Sequence, residues 1–149
     1  MYTTIKKFKF EAKMADFTVE YTGDLRTVMT HLRSGSEVIT DAPVDNKGRG
    51  AYFSPTDLVS SALASCMITI MGIMANEHGF NIDGARAEVR KVMGTDPRRI
   101  AEIHIDVYFP AYAYTEKHIK LLELASKYCP VALSLHPDLK QIVNLHFES

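Results

Sequence analysis

The sequence has no marked charge imbalance, very little cysteine and none of the common cofactor signatures. Lys and Arg number 17 against 18 Asp and Glu, a formal net charge of −1 with histidine neutral. That balance offers no electrostatic footprint for nucleic acid and no polybasic anchor for a membrane surface. Neither GxGxxG nor a P-loop occurs, so no nucleotide cofactor is indicated. There is no CxxC, and His31, His78, His104, His118, His136 and His146 show neither HxxxH nor HExxH spacing. A zinc site is therefore not expected, nor any other metal site, and most of these histidines read as surface or packing residues. No GxSxG marks a serine hydrolase. The absence of an unbroken apolar run of about 18 residues predicts no membrane span. The start, Met1 to Lys7, lacks an apolar signal core, which predicts a cytoplasmic chain.

What is present fits one domain over residues 1–149, with 46% hydrophobic and 23% charged residues to build a core and a surface. Strand-like alternation opens the chain: Ile5, Phe8 and Phe10, then Phe17, Val19 and Tyr21. Gly23-Asp24 and Ser34-Gly35 read as turns, and Arg26 to Leu32 is ambiguous between strand and helix, with strand preferred. Residues 41–50 form a Pro-, Asn- and Gly-containing loop; Gly48-Arg49-Gly50 is too short to carry meaning alone. Ser54 as N-cap and Pro55 at the first helical position start a long helix that Gly79 ends. No charged residue lies between Leu58 and Ala75. A helix apolar all round must be buried on nearly every side, so a second copy of the chain is expected to cover it.

Ile82–Met93 and Ile100–Phe109 predict a hairpin turning at Gly94-Thr95-Asp96-Pro97. A second helix is expected from Thr115, a possible cap, to Tyr128, with Ile119, Leu122, Leu124, Ala125 and Tyr128 as its apolar face. A short turn at Val131–Leu135 and a strand at Leu139–Phe147 complete an α+β chain.

The two cysteines, Cys66 and Cys129, occupy different settings. Cys66 is the twelfth residue of its helix, roughly 16 Å from the start, too far for the helix dipole to stabilise a thiolate. Apolar burial would raise its pKa, so a reactive Cys66 needs a cation from elsewhere. Cys129, at a helix C-terminus where the dipole disfavours a thiolate, suits a resolving role at a joint broken by Pro130. The plain alternative is that both thiols only fill space.

The run Phe53-Ser54-Pro55-Thr56-Asp57-Leu58, continuing to Ser65-Cys66, together with Tyr128-Cys129-Pro130-Val131, resembles the OsmC/Ohr family over most of the chain. The resemblance implies an OsmC-like fold: antiparallel sheets wrapped around a long buried central helix, in an intertwined homodimer. It implies a cofactor-free, antioxidant thiol peroxidase that reduces organic hydroperoxides and, in some members, hydrogen peroxide. By the same resemblance Cys66 is the peroxidatic thiol and Cys129 the resolving thiol, and an external dithiol reduces their disulfide. Arg26 matches the arginine that stabilises the thiolate, with Arg33 and Arg49 as alternatives.

One position departs from the family pattern. The glutamate that holds the arginine falls at Thr56, with Asp57 one residue later; Asp57 either orients the arginine or only caps the helix. Tyr52 and Phe53, or Tyr112 and Tyr114, could line an apolar mouth for the substrate, though aromatics at element ends more often pack. Two other readings are a non-catalytic dimer that binds a hydrophobic small molecule and a thiol–disulfide exchanger; the missing CxxC counts against the exchanger.

Overall fold

The computed structural model describes residues 15–148, so Ile5, Phe8 and Phe10 lie outside the described residues. The chain divides into two compact units, one ending at Ser54 and the other beginning at Pro55.

The first unit holds an antiparallel sheet of β1 (Phe17–Gly23), β2 (Arg26–His31) and β3 (Glu37–Asp41), in that order. The β1–β2 turn is centred one residue later than the sequence suggested: Asp24 and Leu25 both take positive φ, 53° and 61°, as a tight hairpin turn demands. The Arg26–Leu32 ambiguity resolves as strand. Register then pairs Arg26 directly with Asp41 across β2 and β3.

In the second unit α1 (Pro55–His78) starts at the proline and stops at Gly79, whose φ is +73°. The Phe80 N–H closes back onto the Ala75 carbonyl at 3.0 Å, a Schellman ending that needs the glycine. Ser60, Leu63, Ala64, Met67, Met71 and Ala75 form the buried stripe of α1. Part of its apolar surface stays uncovered within one chain: Val59 is 38% exposed and Ile73 48%. By length and composition alone α1 would suffice to cross a bilayer. Its buried stripe nonetheless belongs to a core shared with β4, β5, α2 and α3.

β4 (Arg86–Gly94) and β5 (Arg99–Phe109) make the expected hairpin. β4 begins later than Ile82 because a turn at Gly84, φ +90°, occupies the approach. On β5, Ile103, Ile105, Val107 and Phe109 point into the core, the period-two pattern of a half-buried strand. β5 leads to α2 (Glu116–Lys127), α3 (Pro130–Ser134) and then β6 (Lys140–Phe147). This helical crossover returns β6 parallel to β5, so the expectation of purely antiparallel sheets is corrected to a mixed sheet, β4-β5-β6.

Thr115 caps α2: its hydroxyl accepts from the His118 N–H at 3.2 Å, and its own N–H donates to His118 Nδ1 at 3.3 Å. The apolar face of α2 is narrower than expected. Leu122 and Ala125 are buried, whereas Leu124 and Tyr128 are 47% and 62% exposed, since Leu124 lies off that stripe and Tyr128 lies past the last helical residue, at the C-cap.

Candidate functional site

Two clusters carry the chemistry, one in each unit. In the second unit Cys66 on α1 and Cys129 at the start of α3 are free thiols that lie close enough to influence one another. Cys66 is partly accessible and Cys129 is fully buried. Cys129 ends the α2 connection but is also the N-cap of α3, and its Sγ accepts from the Ala132 N–H at 3.3 Å. The Val131 N–H is a second backbone donor to it. Gln141 on β6 ties α3 down by donating to the Ala132 carbonyl at 3.0 Å. Burial pushes the Cys129 thiol above its ordinary value; the Ala132 N–H opposes that shift and the hydrogen bond with Cys66 adds to it.

The cluster in the first unit is built on Asp41. Arg26 grips its carboxylate with both arms of the guanidinium, Nε to Oδ1 at 2.7 Å and Nη2 to Oδ2 at 2.9 Å, the fork geometry suited to a carboxylate. The Asp41 side chain is 1% exposed and that of Arg26 26%. A third bond reaches Oδ2 from the Ala51 N–H at 3.1 Å. Hydrogen bonding from Arg26 holds the Asp41 carboxyl below its ordinary range, and the same bond raises the guanidinium. The Tyr52 ring lies under Arg26, with Cζ 4.8 Å from its centroid.

The loop that closes this cluster explains Gly48-Arg49-Gly50. A Cβ at Gly48 would lie 1.6 Å from the Ala42 carbonyl oxygen, and Gly50 has φ +60°. Both glycines let residues 42–51 fold back so that Ala51 reaches Asp41.

The other candidates fall out separately. Arg49 pairs with Asp24 at 2.6 Å on the surface, and Arg33 is exposed at the β2–β3 turn. Asp57 binds Lys91 Nζ at 2.5 Å, and the same ammonium donates to Thr56 Oγ1 at 2.9 Å. The carboxylate on Arg26 is thus Asp41, and the cation on Asp57 is Lys91. Neither Asp41 nor Lys91 was anticipated; the Arg26–Asp41 pairing follows from hairpin register, which a turn centred on residues 32–36 would have suggested. Phe53 is 56% exposed and Tyr52 46%. Tyr112 is also exposed, while Tyr114 packs edge-on against Phe80, Phe109 and Phe147. Among the described residues no three His, Cys, Asp or Glu side chains group to hold a metal.

The model of the OsmC-like protein family matches residues 45–143, which span both Gly48–Gly50 and the two cysteines. The chain belongs to this family. A candidate osmotic stress induced and detoxification response protein from Psychrobacter arcticus 273-4 is 49% identical, with TM-score 0.86 over 93% of this chain and all of that one. An OsmC-like protein from Mycoplasma pneumoniae is 23% identical, with TM-score 0.73 over 92% of this chain and 99% of its own. At 11% identity, an organic hydroperoxide resistance protein OsmC from Legionella pneumophila shares the fold, with TM-score 0.67 over 87% of this chain and 94% of its own. No curated protein matches. Within this fold Cys66 of α1 lies near Cys129 at the start of α3.

Proposed function

We propose that this OsmC-like protein is a thiol-dependent peroxidase acting on organic hydroperoxides. The observation that carries the reading is the proximity of its only two thiols, one from α1 and one at the start of α3. The names of the Psychrobacter and Legionella proteins point the same way.

The Cys66 thiolate attacks the terminal peroxide oxygen. An S–O bond forms, the O–O bond breaks, and the alkoxide takes a proton from solvent to leave as the alcohol. Cys66 is then a sulfenic acid. Cys129 attacks it, its proton leaves with the hydroxide as water, and the S–S bond forms. An external dithiol restores both thiols by exchange and is itself oxidised to a disulfide. No metal, nucleotide, nucleic acid or membrane takes part.

Arg26 is the cation that the resemblance assigns to the thiolate, and Asp41, paired with it on the same sheet, takes the orienting role that the resemblance gives to the position of Thr56. Asp57 fixes Lys91 at the start of α1. Tyr52, stacked on Arg26, and Phe53 line the approach for an alkyl group. The working unit is a homodimer: Phe17, Val19 and Tyr21 on β1 and Val59 and Ile73 on α1 are apolar and exposed in one chain, and a second copy covers them.

The test is a thiol count. Reduced protein given a few equivalents of cumene hydroperoxide loses both thiols, while Cys66→Ser keeps its remaining one. Unchanged thiols in the wild type refute the peroxidase and favour a non-catalytic dimer that binds a hydrophobic small molecule.

A further inference from the structure

The second unit holds a cavity that the thiol chemistry does not use. Its volume is about 550 Å³, inside the range of roughly 300–1,000 Å³ that small-molecule sites occupy. It opens where the second turn of α1, the start of β5 and the connection from α3 to β6 come together. Neither Cys66 nor Cys129 lines it.

Two chemistries meet in its lining. Val59, Ile100, Leu135 and Leu139 give it an apolar floor. At the mouth stands Arg99, which is exposed. Arg26, Arg49 and Arg86 each hold a carboxylate, whereas the Arg99 guanidinium enters no ion pair among the described residues. His136 lines the same mouth. Its Nδ1 accepts the Asp138 N–H at 3.1 Å, which leaves the ring proton on Nε2. The Asp138 carboxylate lies 3.8 Å from that Nδ1, beyond hydrogen-bond range, so the backbone bond sets the tautomer. The mouth thus offers a fork of guanidinium donors and one imidazole N–H.

That combination selects a ligand class. A carboxylate matches the guanidinium fork with two parallel hydrogen bonds. A hydrocarbon chain attached to it gains by leaving water for the floor. A cation is repelled by Arg99, and a second carboxylate on the chain would be buried against the floor without a partner. We propose that this cavity binds an alkyl monocarboxylate, with the chain on Val59, Ile100, Leu135 and Leu139 and the head on Arg99 and His136. The inference goes beyond the peroxidase reading and does not rest on it. Val59 also belongs to the surface assigned above to the homodimer, so the site is tested in the assembled, full-length protein.

The test is isothermal titration calorimetry of octanoate into the reduced protein. The wild type should bind one octanoate per chain, saturably, and octan-1-ol and acetate at least about ten-fold more weakly, since each lacks half of the recognised molecule. Arg99→Gln should weaken octanoate about ten-fold or more, as for losing a charge-assisted pair, and Leu135→Asp should abolish binding. Arg90→Gln, the same charge change elsewhere on the hairpin, should leave it unchanged. Cys66→Ser should bind as the wild type does, whether or not the protein reduces peroxides. The proposal is overturned if the wild type shows no saturable octanoate binding, if octan-1-ol binds equally well, or if Arg99→Gln binds like Arg90→Gln. Loss of binding in Cys66→Ser would move the ligand to the thiols and overturn it too.

Discussion

The two units of the chain bury opposite kinds of side chain. In the second, the core is aliphatic and aromatic, from Leu63 and Met67 on α1 to Ile103, Ile105 and Phe109 on β5, with Cys129 inside it and Cys66 packed against it. In the first, the buried described residues are Thr40, Asp41 and Ser54, while Phe17, Val19 and Tyr21 are each more than 60% exposed. A three-stranded sheet that turns its apolar side chains outward cannot supply its own hydrophobic stabilisation. What organises it is an ion pair with three hydrogen bonds on one carboxylate. One unit is thus a packed scaffold that holds sulfur, and the other is a polar clamp that holds a guanidinium.

Substitutions can break this contrast, and the largest effect belongs to the scaffold. Cys66→Ser should abolish hydroperoxide reduction, a loss of at least about a thousand-fold, with the circular dichroism spectrum unchanged. Next comes the clamp. Arg26→Ala should slow Cys66 oxidation about a hundred-fold, as for the loss of one charge-stabilising group, measured by stopped-flow with excess peroxide. Asp41→Asn keeps the shape and should slow it about ten-fold by releasing the guanidinium.

The same residue gives the clamp a pH signature. The folded Asp41 carboxyl titrates below its ordinary value of 3.8, so its contribution is fully present above that value and is lost as pH falls through the lower folded one. Acid unfolding curves of wild type and Asp41→Asn should therefore differ above that window and converge below it.

How much of this was legible in the sequence follows the same division. α1 could be read because its signals are local: Ser54-Pro55 at the start, Gly79 at the end and an uncharged stretch between. Thr115 was visible as a cap for the same reason. The direction of β6 was not, because nothing local distinguishes a parallel from an antiparallel return; the α2–α3 crossover sets it. Asp41 was missed because its partner is fifteen residues away and the pairing depends on strand register. Lys91 was missed because a contact between β4 and the first turn of α1 is tertiary. The proximity of Cys66 and Cys129 is likewise a property of the packed core, which the sequence permits without stating.

Smaller effects sharpen the account. Gly48→Ala places a methyl group against the Ala42 carbonyl and should cost about 1–3 kcal/mol, read from denaturant midpoints, with an accompanying fall in rate as the loop releases Ala51 from Asp41. Lys91→Met breaks the pair with Asp57, whose side chain is 40% exposed. It should cost about 1 kcal/mol or less and change the peroxide rate by no more than about two-fold. A Lys91 effect as large as that of Arg26 would show that the catalytic cation had been assigned to the wrong unit.

The central claim is that peroxide drives the two neighbouring thiols into one disulfide. Mass spectrometry of the intact, unreduced protein after one equivalent of cumene hydroperoxide tests it directly. The expected product has lost two hydrogens and yields a single peptide pair joined through Cys66 and Cys129. An unchanged mass, or oxygen added to Cys66 while Cys129 stays free, would contradict it.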